Sequence, residues 1–181
     1  SPAELAALPY PDGSGRTVEA VIKDMIATIK ENIGVTGLVC YQTASGCVEK
    51  YIHHNAKVGA LVQIDGSSAD AAKALAGEIA MHIAAGVPQV PLAIDHNGID
   101  PAIIANEREM AAEGTQGKPP QIVEKIVAGK LEKFYQDAAL VDQPFVKEEK
   151  KRIRDLLAET SKAVNAAVTV ARFARFKVGE A

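Results

Sequence analysis

The sequence predicts an α+β domain: a three-stranded antiparallel meander plus a carboxy-terminal strand, with helices packed on one sheet face and a projecting helical hairpin. Two observations carry that prediction. Apolar residues recur every three or four positions over several long stretches, and the period drops to two between Gly37 and Asp65 and again after Val168. Of 181 residues, 48% are hydrophobic and 24% charged, the balance of a chain that folds. Aromatics are only 4% and Trp is absent, so Ala, Val, Ile and Leu must build the core.

Residues 1–16 carry Pro9, Pro11, Gly13 and Gly15 close together and read as a linker entering from something earlier, with the core domain at 17–181. From Thr17 to Ile33, positions Val18, Val21, Ile22, Met25, Ile26, Ile29 and Ile33 make one apolar stripe, predicting a helix capped by Thr17 with that face buried. Three strands follow, Gly37 to Gln42, Cys47 to His53 and Lys57 to Asp65, joined by turns at 43–46 and around Asn55. In the third, Val58, Ala60, Val62 and Ile64 share a face, so one side of the sheet is buried and the other wet.

Ser67 and Ser68 offer caps for a helix whose stripe is Ala72, Leu75, Ala76, Ile79 and Ile83, ending at Gly86. Pro88 and Pro91 make the next stretch a loop. Asp100-Pro101 suits the start of another helix, and with the stripe from Ile122 to Phe134 it predicts a helical hairpin over about residues 101–139. A helix from about Glu148 to Val164 and a last strand, in which Arg172 interrupts the alternation of Val168, Val170, Ala174, Phe176 and Val178, complete the order.

The chemistry-bearing residues point away from catalysis. His53 and His54 are neighbours on a strand, so they would face opposite ways, and zinc needs three or four converging ligands. His53 would share the face of Glu49 and Tyr51, taken as the wet one. Ser45, Ser67 and Ser68 fall in turn or cap settings without the nucleophile-elbow spacing, and Gly13-Ser14-Gly15 lacks the third glycine and preceding strand of a phosphate cradle. His82 and His96 have no spacing that builds a pocket with the carboxylates. Cys40 and Cys47, seven apart, match no redox or zinc pattern and read as reduced strand residues. No enzyme activity, cofactor or metal is therefore expected.

Net charge is -3, which gives no overall positive field for a polyanion, so nucleic acid is not expected as a partner. No apolar run approaches the ~20 residues that span a bilayer, and no membrane insertion is expected. The segment KEEKKRIRD reads as a solvated helix start, with Glu148–Arg152 and Lys150–Arg154 at i, i+4.

Six collinear strings, TVEAVIKDMIATIKENI, YIHHNAKVGALV, EIAMHIAAGVPQ, GKPPQIVEKIVAGKLEKFY, QPFVK and FARFKVGE, together resemble the carboxy-terminal part of elongation factor Ts. The resemblance runs from Thr17 onward. It implies a binding module of translation elongation that docks on elongation factor Tu and supports GDP release, in the cytoplasm or in a mitochondrial or plastid matrix. By the same resemblance His53 matches a histidine set against the partner's nucleotide domain, Ile29 a contacting isoleucine, and Val146 with Lys147 a secondary contact pair. Phe173, Arg175 and Phe176 match the family's closing strand and are taken as sheet packing.

Two departures stand beside these matches. The family's T-G-A-G-M-like and T-D-F-V motifs do not occur in these residues, and Lys30 stands where the family's I-G-E-N-I has glycine. They raise an alternative, a structural subunit of a larger assembly that reuses such a domain without exchange activity; a larger assembly or a homodimer stands as the further partner.

Overall fold

The computed structural model describes residues 1–180, and Ala181, the last residue of the predicted core domain, lies outside them. The chain forms two compact units, residues 1–40 with 179–180, and residues 41–178.

In the first unit the predicted linker is locally structured. Helix α1 (Pro2–Ala7) opens with a capping box between Ser1 and Glu4, a start signal that the Gly and Pro further on outweighed in the sequence. Residues 8–17 then close into a loop: the Tyr10 amide donates to Arg16 O (2.7 Å) and the Val18 amide to Leu8 O (3.0 Å). Arg16 ties the loop down by pairing with Asp12 and Asp24. The Ser14 hydroxyl and amide, with Arg16, hold the Asp12 carboxyl down to about 2.

Helix α2 (Val18–Ile29) is capped by Thr17 Oγ1, as predicted, but ends four residues early, at Ile29, with Lys30 as its left-handed cap (φ 63°). None of its residues is buried, so the apolar stripe is there and its predicted burial is not. Met25 and Ile29 remain 49% and 51% exposed.

The second unit is built on one antiparallel sheet ordered β1 (Gly46–Ile52), β2 (Val58–Asp65), β5 (Thr169–Lys177). The α+β class holds, but Gly37 to Gln42 is not a strand. β1 is therefore one edge of the sheet, and β5, the predicted carboxy-terminal strand, pairs with β2 at the other edge. Tyr41, Gln42 and Thr43 lie along the sheet through side-chain contacts instead. Arg172 lies 4.3 Å over the Tyr41 ring and donates to Gln42 O, and Thr43 Oγ1 donates to Asp65.

Arg172 also explains the interrupted alternation in β5. Gln63 faces Arg172 and Ile64 faces Val170, so two β5 residues oppose one position of β2 and the strand bulges. Past the bulge the faces exchange. Phe173 packs on the core, whereas Phe176, expected as packing, is 46% exposed.

Helix α3 (Asp70–Ala85) lies on β1 and β2, and α6 (Ile153–Val164) packs on α3. Val62, Ile64, Ile79, Ile83, Leu140 and Ile153 are fully buried between them, each contributing roughly 1.5–3 kcal/mol. Ala72, Ala76, Ala80 and Ala84 on the same helix let it approach the sheet closely. The serines do not cap α3; Ala69 occupies that position, and Ser67 Oγ accepts from the Ala69 amide. At the chain reversal before α3, Gly66 (φ +97°) is required, since a Cβ there would overlap the Ala167 carbonyl.

Helices α4 (Pro101–Ala112) and α5 (Pro120–Ala138) form the predicted hairpin, rooted on a small cluster of Ala93, Ile99, Ala138 and Ala139. The charged run after Lys147 is not helical. Glu148–Arg152 is strand β4, paired with β3 (Pro144–Phe145), and α6 starts only at Ile153, where Asp155 accepts from the Arg152 amide (2.8 Å). Residues 147–152 carry no apolar residue, so a helix there would have had no face to bury, and the i, i+4 pairings do not form.

Candidate partner-docking surface

His53 follows the last residue of β1, where the chain turns. Its amide donates to Val58 O (2.8 Å), its carbonyl accepts from the Ala56 amide (2.7 Å), and Ala56 takes a left-handed φ of 55° to close the turn. Asn55 Oδ1 accepts from the Lys57 amide (3.0 Å). The imidazole Nδ1 lies 3.2 Å from Tyr51 Oη, which fixes the ring at the rim of a cleft of about 360 Å³ lined also by Val58, Met81 and Ala85.

The face expected for His53 is corrected. Cys47, Glu49 and Tyr51 stand opposite Ile64, Val62 and Ala60, all buried, so theirs is the face that α3 covers. The wet face belongs to Ile52, 60% exposed. His53 is half-buried at the open end of the covered face rather than free on the wet one.

Nor do His53 and His54 point apart. Their ring centroids are 4.1 Å from each other, because strand alternation stops with β1 at Ile52. Among the described residues, no group of three or more His, Cys, Asp or Glu stands together in a way that could hold a metal ion.

Val146 and Lys147 form the turn between β3 and β4. Val146 is half-buried against the main core, and Lys147 is exposed with its ammonium 3.3 Å from Glu78 of α3. Ile29, in the first unit, ends α2 with its side chain half exposed, where periodicity alone had made it core.

The second unit also holds two buried polar centres. His82 of α3 is 1% exposed, its Nε2 lies 2.9 Å from Gln143 Oε1, and its Nδ1 accepts from the Val146 amide (3.3 Å). Burial pushes its pKa below the ordinary 6.5, opposed by the Gln143 bond. Asp142, 3% exposed, is paired with His96 (2.5 Å) and Arg154, with Arg152 at 3.9 Å. The signal for His82 was its place three residues past Ile79 on the apolar stripe. Asp142 and Gln143 lay in a loop and gave none.

The family model described as Elongation factor TS matches residues 1–180. The chain belongs to the elongation factor Ts family. It is similar to an elongation factor Ts of Chloroherpeton thalassium, 36% identical over 171 residues that make up 93% of this chain and 58% of the relative. It is also similar to those of Prosthecochloris aestuarii, 38% identical over 90% of the chain and 56% of the relative, and Nitratidesulfovibrio vulgaris, 39% over 91% and 59%. The chain thus spans under three fifths of the length of these elongation factor Ts relatives. The collinear strings read in the sequence are therefore a family likeness, and the α+β fold is a family member's fold.

Proposed function

We propose that this chain docks on elongation factor Tu and promotes release of GDP from it, acting by shape and contact without covalent chemistry. The observation that carries the reading is the placement of the residues that the family likeness singles out. His53 stands at a cleft rim, Lys147 at an exposed turn, and Ile29 on an open helix face. Residues of this kind, an aliphatic anchor and oriented polar groups at the edge of packed elements, suit a protein interface.

For exchange, the chain must bind the nucleotide-free partner more tightly than the GDP form, since only differential affinity shifts the populations. The reading places the protein where translation occurs, in the cytoplasm or an organelle matrix.

A second reading, a structural subunit of a larger assembly without exchange activity, draws on Lys30. At the end of the candidate contact helix it puts a long charged side chain in a left-handed conformation that glycine would adopt at no cost. Release of a fluorescent GDP analogue from elongation factor Tu separates the two. The exchange reading expects faster release in proportion to added chain and loss of that gain with His53→Ala; binding with unchanged release supports the second.

A further inference from the structure

At the tip of the β3–β4 hairpin, Val146 is held by a side chain from another element. Its amide donates 3.3 Å to Nδ1 of His82, a residue 64 positions earlier and buried to 1% exposure. Because Nδ1 accepts there, the neutral ring carries its proton on Nε2, and that N–H donates to Gln143 Oε1 at 2.9 Å. The Gln143 amide is thereby oriented too. Its Nε2 donates to the carbonyls of Gln89 (3.0 Å) and Asp137.

Every polar atom in this chain of bonds has one role, and the roles are mutually consistent for one tautomer and one amide orientation only. One turn before His82 on the same helix, Glu78 takes the ammonium of Lys147 at 3.3 Å. Helix α3 therefore grips both residues of the turn, Val146 through its backbone and Lys147 through its side chain. Met81, between the two gripping residues, lines the cleft beside His53.

We propose that His82 is a positioning residue for docking: by accepting the Val146 amide at Nδ1 it holds Val146 and Lys147 in register with the His53 cleft along helix α3. The inference rests on the docking reading above and adds a residue that touches no partner. A second proton on the ring would set N–H against N–H and open the turn. The charged groups around it are paired elsewhere: Glu78 with Lys147, Asp137 with Lys133, and Asp142 with His96 and Arg154. The imidazole's own bonds go to Gln143 and Val146.

Two conservative substitutions separate the two nitrogens. In His82→Asn the side-chain oxygen takes the place of Nδ1 and the acceptor is kept. In His82→Gln the amide reaches the place of Nε2 toward Gln143 and the acceptor for Val146 is lost. Hydrogen exchange at the Val146 amide, read by NMR, reports the latch, and calorimetric titration against elongation factor Tu reports docking.

His82→Gln is expected to expose the amide and weaken binding about tenfold, with His82→Asn within about threefold of the parent. The parent should keep its affinity above about pH 6.5 and lose it as the pH falls further, and His82→Asn should lose less. Equal loss in both variants, or an exposed Val146 amide with unchanged affinity, would overturn the positioning role. The double substitution Val146→Ala with Lys147→Ala guards the premise. If it weakens binding while His82→Gln does not, the inference alone fails; if it leaves binding unchanged, the turn is no contact and both readings of it fall.

Discussion

Helices α2 and α3 begin from the same kind of pattern and end in opposite environments. Each has an apolar stripe repeating every three or four residues, yet α3 buries Leu75, Ile79 and Ile83 with four alanines, and α2 buries nothing. The difference lies in what is laid against them. Strands β1 and β2 cover the stripe of α3, whereas within residues 1–40 α1 packs on α2 and leaves Met25 and Ile29 about half open. Periodicity decides that a helix forms with one apolar side; it is silent on what covers that side. In the proposed function an uncovered stripe is an interface waiting for another molecule, and a covered one holds its own unit together.

The comparison predicts its sharpest contrast in stability. Ile83→Ala should cost about 2–5 kcal/mol in denaturant unfolding, because it empties a site with no route for collapse between helix and sheet. A cost under about 1 kcal/mol would mean α3 is loosely held.

The pH dependence comes next in size. The folded-state pKa of His82 is depressed below 6.5, so the unfolded chain takes up its proton first as pH falls. The contribution of the neutral ring is thus present above about pH 6.5 and is lost progressively below it. Thermal melts across that range should show the loss, and His82→Asn should flatten it.

Lys30→Gly should stabilise the end of α2 by about 1 kcal/mol, since the cap is left-handed and its amide still donates to Ile26 O. A melt that does not rise would show that Lys30 is held by contacts offsetting the strain. Ile29→Ala should change stability least, by under about 0.5 kcal/mol. A cost as large as that of Ile83→Ala would erase the distinction between the two helices.

Much of the fold was legible because its signals are local. The Thr17 cap, the stripe of α3, the Asp100-Pro101 start and the two alternating runs that became β1 and β2 each depend on neighbours within a few residues. What was not legible depends on distant partners. Gly37 to Gln42 forms no strand, with Gln42 held by Arg172 from 130 positions away, and only a bulge opposite Gln63 decides which way Phe173 and Phe176 face. The run at 148–152 became a strand because Phe145 and Ile153 are anchored in the core on either side of it.

The candidate site divides in the same way. His53, Ile29, Val146 and Lys147 came from family likeness, and their exposure could not be read from period alone. The face of His53 was inverted because alternation says which residues share a side, not which side a helix will cover. His82 lay in plain view on a stripe, but its bond to Val146 spans 64 positions.

The most direct test of the account is a calorimetric titration of nucleotide-free elongation factor Tu with the chain and with its Ile29→Ala and His53→Ala variants, alongside their melting curves. The account predicts that both variants melt like the parent and bind about tenfold or more weakly. Full affinity in both variants would contradict it, as would weakened binding that merely follows a lost fold.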